Sequence, residues 1–234
     1  MYSLRPANER GHTLTDWLDS FHTFSFGRYY DPQHMGFGDL RVINDDVVAP
    51  GKGFDMHPHD NMEIISIVLS GALEHKDSLG SGAVLNPGEV QVMTAGSGIF
   101  HSEFNPSSTE PVHFLQIWIM TDRRGHRPQY GQKSFACTLI ENQPVLIVSG
   151  DGREDSLRIN QDVEVYQCLL EENKSADYQV SPEHKYWIQV CYGAVSVNDR
   201  PLVAGDGLAV WDEKAELKIR GIDPNSNFLL FRLK

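Results

Sequence analysis

Residues 57–71 read HPHDNMEIISIVLSG: two histidines spaced i, i+2, then an almost wholly apolar run over 64–69. A run of that length, rich in isoleucine and valine and closed by Ser70 and Gly71, reads as a buried β-strand. It is far too short to span a bilayer. In extended chain, residues two apart share a face, so His57 and His59 can point the same way. A second pair with the same spacing, His101-Ser102-Glu103, lies further along. Two such strands can close on a single metal ion.

Outward from this stretch, period-two or fully apolar segments of strand length recur at 40–43, 63–69, 89–93, 112–120, 145–149, 163–169, 186–192, 207–211 and 228–233. Clusters of Gly, Pro, Asn and Asp separate them. The pattern predicts an all-β protein of mostly antiparallel sandwich or barrel type. One helix is expected near the start, over 13–20, with Thr13 or Thr15 capping a turn or two before Trp17 and Leu18. A weak internal repeat sets the architecture: Ser70-Gly71-Ala72-Leu73, with Pro87-Gly88-Glu89-Val90 after it, is echoed by Tyr192-Gly193-Ala194-Val195 and Ala204-Gly205-Asp206-Gly207. Two similar barrels in tandem account for it, one over 1–130 and one over 131–234, hinged in the polar stretch 123–133.

The bulk properties narrow the function. A net charge of -12 repels a phosphate backbone, so direct binding to nucleic acid is not expected and any role in transcription would run through protein partners. Cys137, Cys168 and Cys191 are odd in number and widely spaced, which fits reduced, buried thiols rather than a disulfide framework or a metal knuckle. Residues 1–10 carry Arg5, Pro6, Asn8 and Glu9 in place of an apolar signal core. A cytoplasmic protein with no membrane association is the expectation.

Three imidazoles and a carboxylate suit a borderline divalent ion and leave up to two positions open on an octahedral one. A lone histidine is more often an ordinary hydrogen-bonding group, and the other seven, His12, His22, His34, His75, His113, His126 and His184, are read that way. His22 and His34 are the least secure of these. Strand parity alone does not choose the carboxylate. Positions 57, 59, 61 and 63 share a face if the strand is regular, so Glu63 competes with Glu103.

The segments at 57–71 and 75–105, above all MTAGSGIFHSE at 93–103, closely resemble the pirin family of the cupin superfamily. Gly51, His57, His59, Glu63 and Gly71 follow the first general cupin motif with one extra residue before the last Gly. Gly88, Gly96, His101 and Asn105 follow the second, although Thr94 replaces its usual Pro and two extra residues precede the His. The resemblance covers residues 1 to about 120. It implies two cupin (double-stranded β-helix, or jelly-roll) barrels and a metal held by His57, His59, His101 and Glu103, with Glu63 and Asn61 facing the site or orienting its imidazoles. Iron(II) is the ion expected first, with Ni, Cu, Mn, Co and Zn also compatible. Aligning the repeat puts Gln179, Ser181, Lys218 and Arg220 at the ligand positions of the second barrel, which is therefore expected to be metal-free.

Pirin-like proteins include enzymes similar to quercetin 2,3-dioxygenase, which open the central ring of a flavonol with O2 and release carbon monoxide. The resemblance implies that activity here, with a small planar aromatic substrate and Glu103 as the base for its 3-hydroxyl proton. An iron-containing redox sensor or transcription coregulator acting through protein partners is the alternative from a different class. Sugar-nucleotide isomerisation would need a basic pocket, and only Lys52 and Lys76 lie near the ligands. The phenylalanine-rich residues 21–26 could line a pocket mouth, but their alternation reads first as a strand packed on the core.

Overall fold

The computed structural model describes residues 1–234 and is built almost wholly of antiparallel strands. Its only helical pieces are two single turns, Ala7–Glu9 and Arg153–Asp155. No helix is long and apolar enough to cross a membrane. Contacts divide the chain into a unit of Gly11–Ala136 with Leu157–Gln161, and a unit of Met1–Arg10, Cys137–Ser156 and Asp162–Lys234. Two segments thus fall across the expected boundary near residue 130. Tyr2–Arg5 joins the later unit because it pairs in register with Gly207–Val210. Leu157–Gln161 joins the earlier one, where Gln161 Nε2 donates to the Met120 carbonyl at 2.9 Å.

The unit containing Gly11–Ala136 sets two sheets face to face. The larger runs in the order Gln129–Ser134, Glu89–Thr94, Met62–Ser70, Val112–Met120, Leu40–Val48, Leu18–His22, Gly11–Leu14. The smaller runs Gly53–His59, Ile99–Phe104, Leu73–Asp77, Gly82–Leu85. Met62–Ser70 has partners on both sides and is covered on both faces, which is why its sequence is a continuous apolar run and not an alternation. One end of the barrel closes on Val48, Val68, Leu73, Leu85, Val112 and Phe114. Next along the inner face come polar positions, Ser66, Gln91 and Gln116, and beyond them a second buried apolar cluster of Ile64, Met93, Ala95 and Ile99.

The helix expected over 13–20 is a hairpin. Gly11–Leu14 pairs with Leu18–His22, and the Thr15 hydroxyl accepts from the backbone N–H groups of Trp17 and Leu18 at 3.3 and 3.0 Å. A threonine that accepts from the N–H groups two and three residues on serves a tight turn as well as a helix start. Here the neighbouring strand Leu40–Val48 supplies the ladder that decides between them.

In the other unit, six strands run in the order Tyr2–Arg5, Gly207–Val210, Lys185–Tyr192, Ser226–Leu233, Glu164–Leu170, Val145–Ser149, opposite Ser175–Val180, Ala215–Gly221, Ala194–Val197 and Arg200–Val203. The repeat glycines turn alike: Gly71 and Gly193 have φ +76 and +66, Gly88 and Gly205 +84 and +88. The register of the echo is shifted by one residue from the sequence alignment, however. Ala176, Val180, Leu217 and Ile219 point inward and pack with Ile188, Val190 and Phe228, whereas Gln179 and Lys218 face outward. Apolar side chains fill this barrel where the first holds histidines.

Candidate metal centre

Gly53–His59 and Ile99–Phe104 pair antiparallel, setting His57 opposite His101 and His59 opposite Ile99. A register shift between His101 and Glu103 places Phe54 across from Glu103. The i, i+2 spacing carries His57 and His59 inward together, as it does His101 and Glu103. The three imidazole centroids form a triangle with sides of 4.8, 4.5 and 4.8 Å. Their ligand atoms lie within 4.8 Å of one another, and so do those of a second trio, His75, His101 and Glu103. His75, read from the sequence as an ordinary histidine, therefore stands against the centre. It belongs to a third i, i+2 pair, His75 and Asp77 on Leu73–Asp77, which was the signal available for it.

The nitrogens fit a divalent ion. His59 Nε2 and His101 Nε2 are buried without any hydrogen-bond partner, a costly state for a lone pair unless a cation receives it. His57 holds its Nδ1 2.7 Å from the Asp55 carbonyl, which fixes the proton there and frees Nε2. Burial, then the neighbouring His57, pushes His59 down to about 4 and His101 to about 2, so both rings are neutral at physiological pH. Burial also raises the Glu103 carboxyl above its ordinary range, opposed by nearby His75 and by two donors. Gln116 Nε2 donates to Oε2 at 2.5 Å and Ser66 Oγ to Oε1 at 3.1 Å. A carboxylate only 1% exposed, with no cationic side chain bonded to it, suits an ion that brings its own charge.

Glu63 and Asn61 do not reach the imidazoles. The parity that would have aligned them with His57 and His59 breaks at Asn61, whose φ of +48 ends one strand before Met62–Ser70 begins. Glu63 accepts instead from Thr94 Oγ1 at 2.7 Å and Asn160 Nδ2 at 3.0 Å. Asn61 accepts from the Gly125 N–H and donates to Asp60. Burial raises the Glu63 carboxyl above its usual range.

His57, His59 and Glu103 open onto a cavity of about 580 Å³. Its far wall is the inner face of the larger sheet, where Asn44, Asp46, Gln116 and Trp118 alternate with outward residues. Trp118 meets the His59 ring edge to face at 4.9 Å. Phe26, Phe54 and Leu18 add apolar surface. Of the phenylalanine-rich stretch, Phe24 is core, as expected, but Phe26 and His22 line the cavity. His22 bonds Asn44 and Thr13 at 2.8 and 2.9 Å. Asp46 is buried, its Oδ1 has no partner, and desolvation raises its carboxyl to about 7. The remaining histidines have ordinary partners: His12 Asp19, His34 Asp31, His113 Asp45, His126 Asp122 and His184 Arg232.

Residues 3–119 match the family described as Pirin, and residues 146–233 match the quercetinase C-terminal cupin domain. The quercetin 2,3-dioxygenase of Escherichia coli K12 is 48% identical over 233 residues, spanning 100% of this chain and 99% of that protein. The chain belongs to the pirin family. Its fold superposes on the crystal structure of YhhW from Escherichia coli with a TM-score of 0.95 at 48% identity, covering 100% of this chain and 98% of the other. The bacterial pirin YhhW in complex with nickel(II) gives 0.93, with 100% and 99% covered. A quercetin 2,3-dioxygenase from Acinetobacter baumannii shares the pirin fold at 22% identity, with a TM-score of 0.78 over 99% of this chain and 85% of that one. Two cupin barrels and a histidine-rich metal site thus sit in a pirin framework.

Proposed function

We propose that this pirin is a metal-dependent quercetin 2,3-dioxygenase, which opens the central ring of a flavonol with O2 and releases carbon monoxide. The observation that carries this is the pair of buried, unpartnered imidazole nitrogens beside a cavity of about 580 Å³ walled by aromatic side chains. That volume lies within the roughly 300–1,000 Å³ usual for small-ligand sites. The ion, Fe(II) in the native protein, is held by His57, His59, His101 and Glu103 of the first barrel, and the second barrel binds none. Glu103 is supported over Glu63 because it stands beside His101 and faces the same cavity as His57 and His59, while the Glu63 carboxylate is engaged by Thr94 and Asn160.

When bound, a divalent ion supplies Lewis acidity towards the flavonol 3-hydroxyl oxygen. A Glu103 carboxylate oxygen takes the hydroxyl proton, its affinity for protons already raised by burial. Gln116 and Ser66 hold that carboxylate in place. Trp118, Phe26 and Phe54 offer apolar contact to a flat ring system, and Asn44, Asp46 and His22 form a polar strip for its hydroxyls. The names of the curated relatives favour this enzyme over a sensor.

The test is to load the protein with Fe(II) or Ni(II), add quercetin and O2, and follow flavonol absorbance together with carbon monoxide. His57→Ala and Glu103→Ala are expected to cut turnover by at least about 100-fold. Full activity in both variants would sink the assigned site.

A further inference from the structure

Behind the imidazole triangle lies a buried chain that the proposed chemistry does not use. Asp77 Oδ2 is 3.2 Å from His75 Nε2, and both side chains are fully enclosed. His75 Nδ1 is in turn 3.4 Å from His101 Nδ1. The other nitrogen of His101, Nε2, is buried and unpartnered, and the His57 and His59 rings lie 4.5 and 4.8 Å from the His101 ring. The chain therefore runs carboxylate, imidazole, imidazole, open lone pair.

A neutral imidazole has one N–H and one lone pair, so each link fixes the next. As a carboxylate Asp77 only accepts: its Oδ1 takes the backbone N–H groups of Leu79 and Ser81 at 2.9 and 3.0 Å, and its Oδ2 faces His75. His75 then carries its proton on Nε2, and its Nδ1 is an acceptor. A second contact agrees: Gln91 turns its amide nitrogen to the same Nδ1 at 3.4 Å. One lone pair shared by two donors explains why both approaches are long. The only proton position left to His101 is Nδ1.

We propose that Asp77 and His75 are positioning residues that lock the His101 proton on Nδ1 and so aim its Nε2 lone pair at the metal centre. The consequence for metal affinity rests on the ligand set proposed above, but the proton positions do not. His75 is thereby a relay and not a ligand, since both of its nitrogens are engaged and its ring stacks on Tyr130 at 4.7 Å.

The decisive substitution is Asp77→Asn. Leu79 and Ser81 hold the side-chain oxygen at the Oδ1 position, so the new NH2 group must face His75 Nε2 and donate to it. Both tautomers then invert, and the His101 proton moves onto the nitrogen that faces the ion.

The experiment uses intact, metal-free protein with 15N-labelled histidine, reading the protonated nitrogen of each ring from long-range 1H–15N spectra, and Ni(II) affinity by chelator competition. Wild type is expected to show His75 protonated on Nε2 and His101 on Nδ1. Asp77→Asn should invert both and lower Ni(II) affinity about 10- to 100-fold, the usual range for groups that orient a ligand. Unchanged tautomers in Asp77→Asn, or unchanged affinity, would overturn the proposal. If that variant does not fold, His75→Phe keeps the ring against Tyr130 but cuts the chain. It should retain one Ni(II) per chain with weaker affinity and a mixed His101 tautomer. Complete loss of Ni(II) would make His75 a ligand, and an unmixed tautomer would remove its role as relay. Wild-type protein that binds no Ni(II), or binds it undiminished after His59→Ala, would instead overturn the metal centre, which the metal-free spectra test separately.

Discussion

Glu63 and Glu103 are both buried carboxyls with two hydrogen-bond donors each, yet they differ in what surrounds them. Around Glu103 are His101 and His75, whereas Glu63 is satisfied by Thr94 and Asn160. Glu103→Gln is expected to weaken Ni(II) binding at least about 10-fold, while Glu63→Gln keeps one ion per chain and costs about 1–3 kcal/mol of stability by facing a donor with an amide N–H. Metal titration and urea unfolding of the two variants separate these outcomes. Asp46 gives a prediction of another kind. Its carboxyl is raised to about 7 when folded, from an ordinary value of 3.8, so between those values the folded state holds more protons than the unfolded one. Its contribution to stability is present below about pH 4, falls as pH rises to about 7, and is flat beyond. Asp46→Asn should therefore gain on wild type across that window, by about 4 kcal/mol at most, in urea melts of metal-free protein at a series of pH values. At this scale the histidine triangle was legible in the sequence because two i, i+2 pairs need only strand parity. The Glu63 and Asn61 roles were not, because parity is lost where Asn61 turns left-handed, and a turn between strands leaves no mark in a hydrophobic pattern.

Among the elements, the strands with apolar or alternating sequences were visible in advance: residues 112–120 and 145–149 are Val112–Met120 and Val145–Ser149 in the structure. Gly53–His59 was harder to see, because a strand whose inward residues are histidines has no apolar period. The first hairpin was misread for the reason that a capping threonine is common to helices and tight turns. The repeat glycines were legible and make a sharp test of the turns they serve. Gly71 has φ +76 and a Cβ there would stand 2.5 Å from the Pro111 carbonyl oxygen. Gly80 has φ +89 but nothing within 4 Å. Gly80→Ala thus carries only backbone strain, about 1 kcal/mol, while Gly71→Ala adds a backbone clash and should cost at least about 3 kcal/mol. Denaturant midpoints of the two variants, at equal slope, measure the difference.

For the whole molecule, the division into two units is where the sequence was least informative. Residues 2–5 are too few to show a period, and nothing local indicates that their partner lies two hundred residues away. The register Tyr2 to Val210 through Arg5 to Gly207 nonetheless ties the first segment into the later unit, and Tyr2 packs against its core. Ala7 N–H adds a bond to Asp206 Oδ1 at 2.7 Å. Removing residues 1–10 should strip one side of Gly207–Val210, leaving an exposed edge that loosens this unit and invites association. The three thiols, none in a disulfide, report on it directly, because Cys137 is exposed while Cys168 and Cys191 are buried in the same unit, with burial pushing the Cys168 thiol up to about 12. In the full chain one thiol should react quickly with a soluble disulfide reagent and two slowly. In the truncated chain Cys191, on the strand that pairs with Gly207–Val210, should join the fast class, and the melting temperature should fall by about 5–10 °C. Ni(II) affinity of the same sample should stay within about threefold, because every proposed ligand lies in Gly11–Ala136 and distant sites act independently. Metal loss that tracks the exposure of Cys191 would mean that the two units do not hold their structures separately.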